Sequence, residues 1–239
     1  MNMTIPEALS RPLSSRLADL PEVVERDDNP DIPQAVIDSA VKALADGKTH
    51  YTDRPGILPL RQWVSDNLAR RHNVDVPPDG ITITCGRTEA RFVAIKFLAT
   101  PGSVIYCPGD PTGILGAAQL AGATLTDEPD DADAIKLAYL TPHDGKAKME
   151  QALELIGMNN GYLIWDMVYG REDFHPAQHA ELAGKVVTLG ALSYRLPGWR
   201  IGWLAGSDKA GKLRAYKQSL TICATSISQW AALGLVESL

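Results

Sequence analysis

Three short stretches of the sequence carry the side chains best suited to chemistry on an anionic ligand. The first is ITITCGRTEA, residues 81–90, where a β-branched apolar run gives way to Gly86, Arg87 and Thr88 at the head of a helical pattern. Unpaired backbone N–H groups at a helix start, with a hydroxyl beside them, form a cradle for a phosphate. The same glycine also suits an ordinary strand-to-helix turn. The second is YLIWDMVYG, residues 162–170, in which Asp166 closes an apolar run of Leu163, Ile164 and Trp165. A carboxylate at the edge of such a wall requires a cationic or donor partner. A protonated ring nitrogen meets that need; so does capping of the next segment. Tyr169, three residues on, can reach the same ligand. The third is LPGWRIGW, residues 196–203, where the Arg200 guanidinium fork suits a phosphate, a carboxylate or a structural ion pair.

These groups act together only if the fold gathers them. DIPQAVIDSAVKALADG reads as a helix, with Asp31 as N-cap, Pro33 in the first turn, Gly47 as the stop, and an apolar stripe of Val36, Ile37, Ala40, Val41 and Leu44. A second helix is expected over LPLRQWVSDNLARRH. From Ile81 onward strands alternate with helices: ITITC, SVIYCP, AIKLAYLTP, YLIWD, KVVTLG and WRIGWLAG are the strands, and helices follow each of the first three. The remainder, from Lys209, is helical. Near-continuous apolar strands alternating with helices predict a mostly parallel sheet covered on both faces, a three-layer αβα sandwich. In such sheets ligands bind at the carboxyl ends of the strands, where all three stretches fall.

Composition narrows the function classes. With 45% hydrophobic residues in 239, the chain can bury a sizeable core. Its net charge of −6 excludes bulk neutralisation of nucleic-acid phosphates. Cys85, Cys107 and Cys223 are far apart in apolar contexts, reading as buried free thiols of a reducing compartment. There is no signal-peptide-like start and no apolar window of membrane-spanning length, so a cytoplasmic protein with no membrane partner is expected. The His175/His179 pair has i,i+4 spacing without a third ligand, and GKT at residues 47–49 follows a helix; neither reads as a site.

Taken in order, the landmarks resemble the class I/II aminotransferases, fold-type-I enzymes dependent on pyridoxal 5'-phosphate. THYTDRPGILPLR is similar to the family's Tyr…Gly…Leu-Arg segment, and ITITCGRTEA to its strand and phosphate turn. PGSVIYCPGDPTG parallels its Pro-Gly-Asp…Pro strand, with Ser103 where Asp is usual. LIWDMVYG resembles its Asp-Glu-x-Tyr motif with Met167 in place of Glu, and LPGWRIGW its Gly-x-Arg-x-Gly signature. The resemblance implies that Gly86, Arg87, Thr88 and Arg200 hold the cofactor phosphate. It implies that Asp166 pairs with the pyridine nitrogen, Tyr169 with the phenolic oxygen, and Tyr51 with the phosphate in a partner subunit. It further implies a homodimer acting on an amino acid and a 2-oxo acid, with residues 1–48 an N-terminal arm and helix and 49–239 the cofactor-binding large domain. The family's small C-terminal domain has no counterpart in this sequence.

The same resemblance sets one residue apart by its absence. The family's Schiff-base lysine stands shortly before the Gly-x-Arg turn, beside a serine; here that stretch reads GALSYRLPGWR, with no lysine beside Ser193. Lys185, the nearest, begins the preceding strand and is therefore expected at the wrong end of the sheet. A cofactor-fold binding protein without catalysis and a fold-type-I lyase are the alternatives that this departure leaves open.

Overall fold

A computed structural model describes residues 31–129, 132–167, 174–192 and 196–237. Two helices, α1 (Gln34–Ala45) and α2 (Leu58–His72), precede the sheet. Then follow β1 (Ile81–Cys85), α3 (Gly86–Leu98), β2 (Val104–Tyr106), α4 (Leu115–Ala121), β3 (Thr124–Thr126), β4 (Ile135–Leu140) and α5 (Gly145–Met158). The chain continues through β5 (Tyr162–Asp166), β6 (Val186–Ala191), β7 (Ile201–Ala205), α6 (Ala210–Thr221) and α7 (Ser226–Val236).

The seven strands form one sheet in the order β1-β7-β6-β5-β4-β2-β3. Pairing is parallel from β6 to β3, whereas β7 runs antiparallel to both β6 and β1. Period-two alternation builds the layers. On β5, Ile164 faces the core made with α3, α4 and α6, while Leu163 and Trp165 face the opposite core beside α5. On β7, Leu204 joins the first core, and Ile201, Trp203 and Ala205 pack against α1, α2 and α7 on the far side. Helices thus cover both faces, as the strand patterning implies.

The structure corrects several local expectations. Asp31 does not cap α1: the N-cap is Pro33, with no side-chain cap, and the chain leaves the helix at Asp46 before Gly47 turns at φ +69°. Only Val36, Ala40 and Ala43 of α1 are buried, and Ile37, Val41 and Leu44 of the expected stripe are exposed at 40%, 60% and 54%. The C-terminal helical run is two helices broken at Ile222, whose φ of 54° cannot continue a helix. Cys107 is buried, but Cys85 and Cys223 are only half-buried; all three are free. His175 and His179 bracket the 3-10 turn Pro176–Gln178, and His175 is fully buried instead of lying in a solvated loop. Among the described residues, no group of three or more His, Cys, Asp or Glu side chains could hold a metal ion, and no helix is long and apolar enough to cross a membrane.

Candidate active site

The turn from β1 into α3 is built for close approach. Gly86 sits at φ +77°, a left-handed conformation that side chains rarely adopt. A Cβ there would lie 2.8 Å from the Arg200 guanidinium. Gly202, on the neighbouring strand, has no room for a side chain because its Cβ would stand 2.5 Å from the Gly86 carbonyl carbon. The turn is therefore held backbone against backbone. Glu89 braces it from within α3: its Oε2 accepts from Cys85 N at 2.5 Å, and its Oε1 accepts from the Thr221 hydroxyl at 2.6 Å. Burial first, then the Glu89 charge, holds the Cys85 thiol above its ordinary pKa, so this sulfur stays protonated and inert.

Arg200, itself in a left-handed conformation at φ 54°, is exposed and reaches over this turn. Its Nη2 lies 3.4 Å from Thr88 Oγ1 and 3.5 Å from the Cys85 carbonyl, both at the long edge of hydrogen bonding. The guanidinium is placed over the cradle with donor capacity to spare for an anion.

Asp166 ends β5 and is 0% exposed. Its Oδ2 accepts from Arg91 Nε at 2.5 Å and from the Tyr139 hydroxyl at 2.6 Å. Arg87 Nε stands 3.8 Å from Oδ1, and that buried oxygen has no hydrogen-bond partner. Burial, then the Asp166 charge, drives the Tyr139 phenol far above its ordinary pKa, which keeps it a donor. Burial works against the charge on Arg91, but Asp166 and Tyr139 outweigh it, and the guanidinium is held above its usual value. Arg87 and Arg91 therefore face the buried carboxylate at the carboxyl end of β5. Arg200 stands over the β1–α3 turn from the amino end of β7, not from a carboxyl strand end as expected, because β7 runs antiparallel. The excess of positive charge matches an anionic ligand.

Gly86, Arg87, Thr88, Asp166 and Arg200 are brought together, with Arg87 turned towards the carboxylate. Tyr51 is not among them: it is 69% exposed and lines a separate cavity of about 360 Å³ with His50, Leu58 and Trp230. Tyr169 and Ser193 lie outside the described residues. Lys185 lies in the turn before β6, at the opposite end of that strand from the cluster, and pairs with Asp208 at 3.5 Å. From there to Lys209 the sequence contains no lysine. Sequence reasoning missed Arg91 and Tyr139. A signal for the first existed: Arg87 and Arg91 are four apart on the opening turns of α3, hence on one face.

A parallel-rich sheet with an antiparallel β7, helices on both faces and this turn at the strand ends is the large-domain architecture of the aminotransferases. The aspartate aminotransferase of Thermus thermophilus, solved with maleate, superposes with a TM-score of 0.74 at 22% identity, covering 88% of this chain and 63% of that one. The N-succinyldiaminopimelate aminotransferase of Mycobacterium tuberculosis gives 0.75 at 23% identity, over 90% and 65%. In sequence, the (5-formylfuran-3-yl)methyl phosphate transaminase of Methanocaldococcus jannaschii is 29% identical over 236 residues, 90% of this chain and 63% of that protein. A probable aspartate aminotransferase of the same organism is 26% identical over 240 residues, 85% and 63%. No protein-family model matches the chain. The chain is thus similar in sequence and in fold to class I/II aminotransferases. It spans less than two thirds of the length of these curated relatives.

Proposed function

We propose that the chain is the cofactor-binding part of a pyridoxal-phosphate-dependent aminotransferase, moving an amino group between an amino acid and a 2-oxo acid. Pyridoxal 5'-phosphate is the cofactor of this family. The observation that carries the reading is the buried Oδ1 of Asp166, which accepts no hydrogen bond, near a phosphate cradle that Arg200 overhangs. The residues fit the cofactor at two points. The Gly86–Thr88 turn and Arg200 would take the phosphate, and Asp166 Oδ1 would accept a hydrogen bond from a protonated ring nitrogen. When bound, the cofactor supplies an electron sink for a carbanion next to the transferred nitrogen. The chain's own contribution is to hold the phosphate, to keep a buried carboxylate aimed at the ring nitrogen, and to exclude water from it.

Two copies acting together fit the same reading. Ile37, Val41, Leu44 and Leu58 leave apolar surface exposed on α1 and α2. Tyr51, also exposed, lines a cavity with Leu58 of this surface and stands outside the cluster that its own chain forms.

The deciding assay is amino-group transfer by the purified protein with added pyridoxal phosphate and a panel of amino acids, following the 2-oxo acid product. Turnover above that of free cofactor, lost in Asp166→Asn and Gly86→Ala, is the expected result. Saturable binding without turnover indicates a cofactor-binding protein, in keeping with the lysine missing beside Ser193. No saturable binding refutes both. Borohydride reduction and peptide mapping then show which lysine, if any, is joined to the cofactor.

A further inference from the structure

Asp166 is engaged before any ligand arrives, and its two oxygens are held unequally. Arg91 and the Tyr139 hydroxyl both hydrogen-bond Oδ2, which fixes the plane of the carboxylate, whereas Oδ1 has only the longer ion pair with Arg87 at 3.8 Å and accepts no hydrogen bond. The seat of Arg91 is itself shaped. Gly113, in the segment between β2 and α4, lies against the guanidinium so closely that a Cβ there would stand 2.3 Å from Nη1. The charged and titratable groups around this seat are Arg87 and Arg91 from α3, Tyr139 from β4, and Cys107 and Asp110 after β2.

We propose that Arg91 is the positioning residue for Asp166: with Tyr139 it aims Oδ1 at the cofactor's ring nitrogen, and its charge lowers the pH at which that nitrogen loses its proton. This rests on the pyridoxal-phosphate reading above. The physical reason is the balance of charge in a buried site. One carboxylate faces two guanidiniums, so a protonated ring adds a third positive charge to a single negative one. The guanidiniums repel a proton on the nearby ring nitrogen and so reduce its affinity for that proton. Once that proton is gone, a nitrogen lone pair and a carboxylate oxygen face each other without a donor between them. Cofactor affinity must then fall. Arg91 thereby sets the upper pH limit of cofactor retention.

The test uses pyridoxal phosphate labelled with ¹⁵N in the ring. Its nitrogen chemical shift and its dissociation constant are followed together from pH 5 to 10, with circular dichroism as the check on folding. In Arg91→Leu the protonation midpoint should rise by about one to two pH units, and Arg91→Lys should return it most of the way. Gly113→Ala keeps every charge but displaces the guanidinium; it should weaken binding several-fold and move the midpoint upward by less than Arg91→Leu. Equal midpoints in the wild type and Arg91→Leu, with both binding, overturn the inference and leave the cofactor reading intact. No saturable binding by the wild type overturns both. If Arg91→Leu does not fold, Gly113→Ala decides: unchanged affinity and midpoint refute the role of Arg91.

Discussion

His175 gives the chain a defined weakness towards acid. The side chain is 0% exposed between Trp165 and His72. Its Nδ1 accepts a hydrogen bond from Ala177 N at 3.1 Å, so the neutral ring carries its proton on Nε2 and donates it to Thr188 Oγ1 at 3.3 Å. Protonation would set a second N–H against the Ala177 amide. Burial first, and His72 second, depress the pKa from 6.5 to about 3. Below pH 6.5 the unfolded chain takes up a proton here that the folded chain refuses. Stability is therefore fully present above that pH and is lost towards pH 3. The loss is about 1.4 kcal/mol per pH unit once the unfolded side chain is charged, or roughly 2 to 3 kcal/mol by pH 4.5. Against a typical total of about 5–15 kcal/mol this is a large fraction.

The assay is urea unfolding at half-unit steps from pH 7.5 to 4.5, comparing the wild type with His175→Asn. Asparagine can still accept from the Ala177 amide but does not titrate. The variant should start about 1–2 kcal/mol less stable, having lost ring packing and the Thr188 bond. Its slope between pH 6 and 5 should be smaller by close to one proton, so the two curves converge in acid. Parallel curves across that window would refute the argument, because another group would then be responsible for the wild-type slope.

Other perturbations have equally definite outcomes. Asp166→Asn removes the counter-charge of Arg87 and Arg91 and should cost about 3 kcal/mol in urea unfolding; Asp166→Leu combined with Arg91→Leu should cost less than the sum of the two single changes. Gly86→Ala forces a side chain into a left-handed turn against Arg200, so it should lower the melting temperature and weaken binding of inorganic phosphate at least tenfold. Lys217 is fully buried on α6 with no hydrogen-bond partner for Nζ. Lys217→Met should therefore raise stability by about 1–2 kcal/mol in the same urea assay.

The strands were legible because burial on both faces writes near-continuous apolar runs, and β1 and β5 fall on the residues expected from ITITC and YLIWD. Strand β3 was not, since Thr124–Thr126 is three residues long, lies at the sheet edge and alternates with nothing. The direction of β7 was equally hidden, because side-chain period is the same whether a strand pairs parallel or antiparallel. Gly86 and Arg200 could be read from the turn chemistry that their types permit. Arg91 could not be read so easily, because its meaning depends on a carboxylate 75 positions away that only the sheet brings within reach. The α1 stripe misled for a related reason: Ile37, Val41 and Leu44 are apolar without being buried, and one chain's pattern does not say which of two apolar faces its own core will claim.

The pairing of β1 with β7 also fixes a schedule. Ile81 meets Ala205 and Cys85 meets Ile201, so among the described residues the first strand of the sheet waits for the last before it has a strand partner. At about 5–20 residues per second, the ribosome delivers that neighbour on the order of ten seconds after the glycine turn has emerged. Until then Gly86 lacks Gly202 behind it and Arg200 above it, and the cradle does not exist. A phosphate ligand can therefore do little to guide early folding of this chain. It acts as a late latch, slowing unfolding of the finished sheet while leaving the rate of its assembly nearly untouched.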